Sequence, residues 1–216
     1  MSSALEPLIA ARTLAPLRDF VEATTRIVTE PMTEMQRIDA VREQLARLIA
    51  DDAWLPDEAA VPHPQYYRQY LLHCDPFQRF SVVSFVWGPG QRTPVHDHQV
   101  WGLIGMLRGA ETSQSYMRGA NGALQLTGAL VRLDPGDIAT VSPSAIDIHQ
   151  VSNAYDDRTS ISIHVYGGNI GAVARHIYEP RTGEVKPFVS GYSSTQVPNL
   201  WDLSALVRAG LAEETP

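Results

Sequence analysis

Two histidines separated by one residue are the first feature of the sequence that could carry chemistry. His96 and His98 flank Asp97, and side chains at positions i and i+2 of a β-strand lie on the same face. One strand would therefore present both imidazoles together and point Asp97 the other way. Neutral imidazole is a common ligand for transition metals, so the pair predicts half of a metal site. Cys74 is the only cysteine, which excludes a cysteine cluster and leaves histidine and oxygen as the ligands.

A second segment, residues 160–166, alternates polar and apolar side chains. Ser162, His164 and Tyr166 share one face of the predicted strand, and three β-branched residues share the other: Ile161, Ile163 and Val165. An edge strand with a solvated polar face would explain this pattern without any function. A strand with its polar face turned inward would instead place a hydroxyl, an imidazole and a phenol in the interior of the protein.

The elements that must position these residues differ between the two ends of the chain. Up to about Asp52, apolar residues recur at helical spacing and predict two or three helices. From Phe80 onward, Gly and Pro turns separate short β-rich segments, as expected for antiparallel strands that close into a barrel or jelly roll. These predicted strands are Phe80–Trp87, Val100–Leu107, Ser113–Met117, Ala129–Leu133, Ile138–Val141 and Ser160–Val165. A chain of 216 residues with 44% hydrophobic content predicts one domain.

Charge and hydropathy exclude several classes of partner. The 17 Lys and Arg against 24 Asp and Glu give a net charge of -7, with no basic block that would bind nucleic acid. The longest apolar runs are much shorter than a membrane span, and the N-terminus does not read as a signal sequence. We therefore expect a cytoplasmic protein without nucleic-acid or membrane partners. The oligomeric state is left open.

The glycines around the histidine pair complete a recognisable pattern. Gly90 precedes His96 by five intervening residues and Gly109 closes the segment, which resembles the first cupin motif. Pro135-Gly136, followed by His149 and Asn153, resembles the second. The resemblance covers roughly residues 80–166 and implies a mainly β protein with a cupin-type β-barrel (jelly roll) and N-terminal α-helices. It implies that His149, in a later strand, joins His96 and His98 as the third metal ligand.

The sequence pattern divides the single domain 1–216 into three parts. The helical N-terminal part would cover about 1–75, the barrel about 76–190, and a C-terminal tail with a short helix 191–216. At this end of the chain, Lys186–Pro198 is expected to be an extended or looping segment across the barrel and Leu200–Ala212 to be the short helix. Cupins often place a glutamate ligand where this sequence has Gly102. A site of three neutral imidazoles would leave a divalent metal its full charge and several open coordination positions, so it would favour anionic ligands.

Three further motifs are similar to those of the cysteine dioxygenase (thiol dioxygenase) family, and most closely to its bacterial 3-mercaptopropionate dioxygenases. They are Trp87-Gly88-Pro89-Gly90, His96-Asp97-His98 and the relay Ser162-x-His164-x-Tyr166. The resemblance implies one Fe(II) per chain and a catalytic relay of Ser162, His164 and Tyr166. The animal enzymes crosslink a cysteine at the position of Gly102 to the relay tyrosine, so Tyr166 should be uncrosslinked here.

Two positions bear on the substrate that this resemblance implies. Gln69 aligns with the arginine that binds the carboxylate in cysteine dioxygenases, although a shift of one residue would place Arg68 there. Arg175 corresponds to the arginine that binds the carboxylate in the mercaptopropionate branch, and a guanidinium can form a bidentate pair with a carboxylate. The expected reaction is oxidation of 3-mercaptopropionate by O2 to 3-sulfinopropionate. The alternatives are a cysteine dioxygenase acting on L-cysteine and a non-catalytic metal-binding cupin.

Overall fold

The protein is built mainly of β-strands. The computed structural model describes residues 14–120, 122–145, 147–194 and 204–213. Its strands are β1 (Arg68–Cys74), β2 (Ser81–Trp87), β3 (Val95–His96), β4 (Gly102–Arg108), β5 (Glu111–Arg118), β6 (Leu124–Leu133), β7 (Ile138–Val141), β8 (His149–Asn153), β9 (Ser160–Tyr166), β10 (Arg175–Tyr178) and β11 (Val185–Phe188). They form a five-stranded sheet, β1-β2-β9-β4-β7, and a six-stranded sheet, β11-β10-β3-β8-β5-β6. The paired strands are antiparallel, which confirms the predicted fold class.

Helices precede this sheet region, as predicted. They are α1 (Ala15–Thr29) and α2 (Glu34–Leu48), and a 3-10 turn at Asp57–Ala59 follows them. Thr33 caps α2 in a capping box with Gln36, which satisfies backbone N–H groups at the start of the helix. The buried positions of α2 recur every three or four residues: Ile38, Val41, Leu45 and Leu48. This spacing gives the helix one apolar face.

The five-stranded sheet has a separate apolar core on each face. On its outer face, residues from α1 and α2 pack with Leu103 of β4 and with Ile161 and Ile163 of β9. On its inner face, Phe85 of β2 packs in a second cluster that also includes Val151 of the six-stranded sheet. The candidate functional residues lie on this inner side, between the two sheets.

Strand β9 lies in the middle of the five-stranded sheet, between β2 and β4. All seven of its residues are buried. Its apolar face contacts the helical layer, and Ser162, His164 and Tyr166 point to the interior between the sheets. The solvated edge strand, the alternative for this pattern, is therefore wrong.

One boundary from the sequence needs correction. The helical part was expected to extend to about residue 75, but α2 ends at Leu48 and residues 68–74 form β1. β1 forms because it pairs with β2, a long-range interaction that local periodicity does not record. Strands β10 and β11 were also absent from the predicted strands; each has only four residues, and β10 pairs with the distant β3.

The C-terminal region agrees with its prediction where it is described. A helix was expected over Leu200–Ala212, and α3 covers Ser204–Glu213, while residues 200–203 lie outside the described residues. The extended tail predicted for 186–198 begins as β11 and continues along β1, where the hydroxyls of Ser193 and Ser194 accept hydrogen bonds from β1 backbone N–H groups. None of the described helices is long and apolar enough to cross a membrane.

Candidate metal centre and anion-binding cavity

The three predicted metal ligands come together between the sheets. His96 of β3 lies directly opposite His149 of β8 in the antiparallel register, and His98 follows two residues after His96. One ring nitrogen from each residue lies within 4.8 Å of the others, and all three side chains are buried. The two histidines of the pair were expected in one strand, which is wrong, because β3 ends at His96. A turn through Gln99, which has a positive φ of 61°, follows His98.

The second nitrogen of each ring has its own hydrogen-bond partner. The Nδ1 partners are the Pro94 carbonyl for His96 (3.0 Å), the Asp147 carboxylate for His98 (2.8 Å) and the Ser113 hydroxyl for His149 (3.1 Å). Such contacts fix ring orientation, and a hydrogen on Nδ1 leaves the Nε2 lone pair available to a metal. Asp147 also accepts hydrogen bonds from the backbone N–H groups of His98 and Gln99, so it holds the turn as well as the ring.

Burial keeps the three imidazoles neutral. Desolvation is the largest cause that lowers the pKa of His149 to about 4, and it lowers the pKa of His96 and His98 well below the usual range. The mutual repulsion of the rings, if charged, adds to the shift for His96 and His98. Neutral imidazole is the form that binds a metal, so three buried donors with oriented rings fit a divalent ion.

Gly102 lies beside this cluster, where a carboxylate ligand was noted as missing. A Cβ atom at this position would lie 2.7 Å from Cδ1 of Tyr166 and 2.9 Å from Cγ2 of Val141. Both distances are shorter than normal carbon contacts, so a side chain here would displace the tyrosine ring. Glycine therefore allows Tyr166 to stack against His98, with ring centroids 5.6 Å apart.

The three residues of the predicted relay form a continuous hydrogen-bonded chain. Ser162 Oγ lies 2.9 Å from His164 Nε2, and His164 Nδ1 lies 2.8 Å from the Tyr166 hydroxyl. The His164 ring stacks on Phe85, with centroids 4.0 Å apart. Burial raises the pKa of Tyr166 and lowers that of His164, so both are neutral near pH 7.

Arg175 and Gln69 line the same cavity as the three histidines. The Arg175 side chain stacks over Phe188, with its guanidinium carbon 4.6 Å from the ring centroid, and one Nη donates to Ser190 Oγ at 2.8 Å. Its Nε is buried without a hydrogen-bond partner, and within the described part of the chain no carboxylate forms an ion pair with it. Burial lowers the pKa of Arg175, but a guanidinium stays charged. Among the residues that the structure describes, the cavity therefore contains a cation with no anionic partner.

Gln69 and its neighbour Arg68 have different surroundings in the structure. Gln69 is buried in the cavity wall, and its amide donates to the carbonyl of Gly191. Arg68 does not line the cavity, and its guanidinium lies over the Tyr66 ring, 5.7 Å from the centroid. Adjacent strand residues face opposite sides of a sheet, so only one of the two could line the cavity, and it is Gln69.

Three residues of the site were not anticipated. Tyr67 lines the cavity, Asp147 holds His98, and Glu111 accepts a hydrogen bond from Ser162 at 2.8 Å. Desolvation raises the pKa of Glu111 to about 7. Asp147 could have been noticed two residues before His149, but nothing in its spacing indicates which histidine it would contact. Glu111 carries no local sequence signal.

The chain was compared with protein families and with solved structures, and similar proteins were found only among the solved structures. No protein-family model matches the chain. A double-stranded β-helix protein from Klebsiella pneumoniae is 23% identical and covers 53% of this chain and 89% of its own, with a TM-score of 0.39. A cupin superfamily protein from Desulfitobacterium hafniense is 14% identical over 53% of this chain and 90% of its own, with a TM-score of 0.41.

A cupin 2 conserved barrel domain protein from Salinispora arenicola is similar to the same extent. It is 20% identical over 53% of this chain and 87% of its own, with a TM-score of 0.39. These similarities carry no information on activity. By its own structure, the chain is a mainly β protein of two antiparallel sheets with a buried three-histidine cluster that could hold a metal.

Proposed function

We propose that the protein is a non-haem Fe(II) thiol dioxygenase that oxidises 3-mercaptopropionate with O2 to 3-sulfinopropionate. The observation that carries the proposal is Arg175, a buried guanidinium without a carboxylate partner among the described residues, in the same cavity as His96, His98 and His149. A buried charge is costly unless it is paired. The cavity would therefore bind a molecule that brings one anionic group to Arg175 and a second to the metal.

The charge of the cavity favours a small thiol carboxylate. None of the described residues that line it is an aspartate or glutamate, and three neutral imidazoles would leave a divalent ion uncompensated. A thiolate and a carboxylate on one short chain would offset the charges of the metal and of Arg175 together. When bound, Fe(II) would lower the pKa of the thiol and supply the redox chemistry with O2.

The residues around the cavity would orient the substrate. The stacking on Phe188 and the bond to Ser190 fix the guanidinium plane, which prepares Arg175 for a bidentate carboxylate pair. Tyr166, held by His164, would offer its hydroxyl to the oxygen or carboxylate end of the substrate. Phe85 and Trp87 supply apolar walls that keep water from the thiolate.

The same charges disfavour other thiols. L-Cysteine and cysteamine carry an ammonium group, and the part of the cavity wall that the structure describes offers no carboxylate to pair with it. Cysteamine also lacks the carboxylate that Arg175 would bind. We expect 3-mercaptopropionate to give the highest kcat/KM, then L-cysteine, then cysteamine.

The test is anaerobic reconstitution with Fe(II), followed by oxygen addition with each of the three thiols. Oxygen uptake, sulfinate formation and the metal content of the protein as purified are measured together. One sulfinate per O2 with 3-mercaptopropionate would support the proposal. A higher kcat/KM for L-cysteine would favour the cysteine dioxygenase alternative, and no oxygen uptake with any thiol would favour a non-catalytic cupin.

Replacement of Arg175 tests the carboxylate subsite. For Arg175→Ala we expect kcat/KM for 3-mercaptopropionate to fall by roughly 30- to 100-fold, equivalent to about 2–3 kcal/mol, because a charge-assisted bidentate pair is lost. The value for cysteamine should change less than about threefold. Arg181→Ala, at a side chain that is 94% exposed, is the matched control. An equal loss for both thiols would contradict carboxylate binding by Arg175.

A further inference from the structure

Glu111 extends the relay by one residue beyond Ser162. It is the first residue of β5 and is 1% exposed. Its Oε2 accepts a hydrogen bond from Ser162 Oγ at 2.8 Å, and the Trp87 indole N–H lies against both the carboxyl group and Ser162 Oγ, at 3.1 Å from the latter. No cation in the described residues forms an ion pair with it. Glu111 does not line the cavity itself, but it contacts two groups that lead to the cavity, the Ser162 hydroxyl of the relay and the Trp87 indole.

Counting hydrogens gives one arrangement when Glu111 is ionised. A carboxylate can only accept, so the Ser162 hydroxyl donates to it. Ser162 Oγ must then accept from His164 Nε2, and His164 Nδ1 carries a lone pair that accepts from the Tyr166 hydroxyl. The tyrosine oxygen then presents only lone pairs to the cavity.

The opposite arrangement follows when Glu111 is protonated. Its O–H can donate to Ser162 Oγ, which then donates to His164 Nε2. His164 Nδ1 now carries the hydrogen and donates to the Tyr166 oxygen, so the tyrosine hydroxyl hydrogen is free to point into the cavity. In both arrangements each of the three contacts, at 2.8, 2.9 and 2.8 Å, has one donor and one acceptor.

We propose that Glu111 is a positioning residue whose protonation state sets the direction of the hydrogen bonds through Ser162 and His164, and thereby whether Tyr166 presents a hydrogen or lone pairs to a ligand. The proposal rests on the proposed function for the anionic character of that ligand. An anion near Tyr166 is attracted by the O–H and repelled by the lone pairs, so binding should favour protonated Glu111.

The surroundings of the carboxyl group allow it to change state near neutral pH. Desolvation raises its pKa to about 7, and the hydrogen bonds from Ser162 and Trp87 lower it in part. The strands paired with β5 place Leu133 and Asn153 opposite Glu111, and neither titrates. The titratable groups that face it from β9 are His164 and Tyr166, which burial keeps neutral.

The isosteric variant Glu111→Gln separates this role from a packing role. A glutamine amide N–H2 can donate to Ser162 while its oxygen accepts from Trp87, so the variant imitates the protonated carboxyl at every pH. The dissociation constant of 3-mercaptopropionate is measured anaerobically on Fe(II)-loaded protein between pH 6 and pH 8. The ratio of wild type to variant removes the pH dependence of the thiol itself, because both proteins share it.

We expect this ratio to be close to one at pH 6 and about tenfold at pH 8, with the wild type binding more weakly. The reason is that only about one molecule in ten has protonated Glu111 one pH unit above a pKa of about 7. Glu34→Gln is the matched control, since the Glu34 carboxylate also accepts hydrogen bonds from two serines but lies outside the cavity. A ratio that does not change with pH would overturn the proposal.

A second set of variants tests whether Glu111 acts through the relay. The variant Ser162→Ala breaks the relay. The ratio of the dissociation constant of Ser162→Ala to that of the double variant Ser162→Ala/Glu111→Gln should therefore not change with pH. A ratio that still rose with pH in the Ser162→Ala background would show that Glu111 acts without the relay, against the proposal.

Infrared difference spectra of the metal-free wild type between pH 5.5 and 8.5 should contain the carbonyl band of a protonated carboxyl group, absent from Glu111→Gln. A wild type without the band would overturn the proposal, whether or not the variant folds. If the band and the binding ratio behave as expected but no thiol is oxidised, the proposed function fails and the role of Glu111 stands.

Discussion

The two faces of β9 are buried to the same degree by different chemistry. Ile163 is inaccessible to solvent against the helical layer, and His164, the next residue, is 3% exposed against the interior between the sheets. The apolar face gains free energy from any well-packed neighbour. The polar face requires a specific partner for each atom, which it finds in Ser162, Tyr166 and Glu111. One strand thus carries an apolar face that stabilises the fold and a polar face that belongs to the candidate site, called the functional face below.

The largest difference between the two faces should appear when a candidate metal ligand is removed from the interior that the polar face of β9 lines. We expect His149→Ala to retain less than a tenth of the wild-type iron and to lose thiol oxidation by at least about 100-fold, because two imidazoles cannot replace three. Metal analysis and oxygen uptake measure this, with circular dichroism as the check of folding. His63→Ala, at a histidine that stacks on Tyr66 outside the cavity, is the control. Full iron content in His149→Ala would contradict the assigned ligand set.

A truncation on the apolar face should have the opposite consequence. Ile163→Ala is expected to lower the free energy of unfolding by about 3 kcal/mol, because it leaves a cavity between the sheet and the helices. Iron bound per folded chain should not change. Denaturant unfolding and metal analysis give the two values, and Leu126→Ala, at a 66% exposed side chain, should cost less than about 0.5 kcal/mol. If Ile163→Ala removed iron from folded protein, the two faces would not be independent.

The pH dependence of stability tests the buried carboxyl group of β5 that contacts the polar face of β9. The pKa of Glu111 is raised from 4.5 to about 7 in the folded protein. Between these values the folded state holds a proton that the unfolded state has released, so the contribution of Glu111 to stability is fully present below pH 4.5 and is lost as the pH rises to about 7.

For Glu111→Gln this loss should disappear, and its free energy of unfolding relative to wild type should rise by about 2 kcal/mol from pH 5 to pH 7.5. Denaturant titrations at both pH values measure the difference, with Glu34→Gln as the control. A constant difference across this range would mean that Glu111 has an ordinary pKa.

The smallest effect on metal binding is expected at Asp147, which contacts the ligand His98 and not the metal itself. Asp147→Asn keeps the shape of the side chain but removes the charge that orients His98 and its turn. We expect the affinity for Fe(II) or Zn²⁺ to fall about tenfold, as is typical when the partner of a ligating histidine is changed. Competition with a chelator measures the affinity. Asp157→Asn, at an exposed side chain, should have no effect, and an unchanged affinity in Asp147→Asn would reject the orienting role.

The sequence predicted the functional face of β9 because strand periodicity is local. Alternation places Ser162, His164 and Tyr166 together whatever surrounds the strand. It could not decide whether that face meets water or the interior, since this depends on the six-stranded sheet. In the same way it paired His96 with His98 but misplaced the end of β3, because a two-residue strand is too short to leave a pattern.

The features of the candidate site can also be divided into those predicted from the sequence and those that depend on the tertiary structure. Residue types and spacing predicted the His96 and His98 pair, the shared face of Ser162, His164 and Tyr166, and the N-terminal helices, since each depends on neighbours along the chain. The third ligand, His149, and the relay role came from the family resemblance. Only the tertiary structure selected Gln69 over Arg68, left Arg175 as a buried cation with no carboxylate partner among the described residues, and brought Glu111 to Ser162 across 51 residues. Those relations depend on strand pairing between distant segments. Their energetics come from burial, which exists only once the two sheets have packed together.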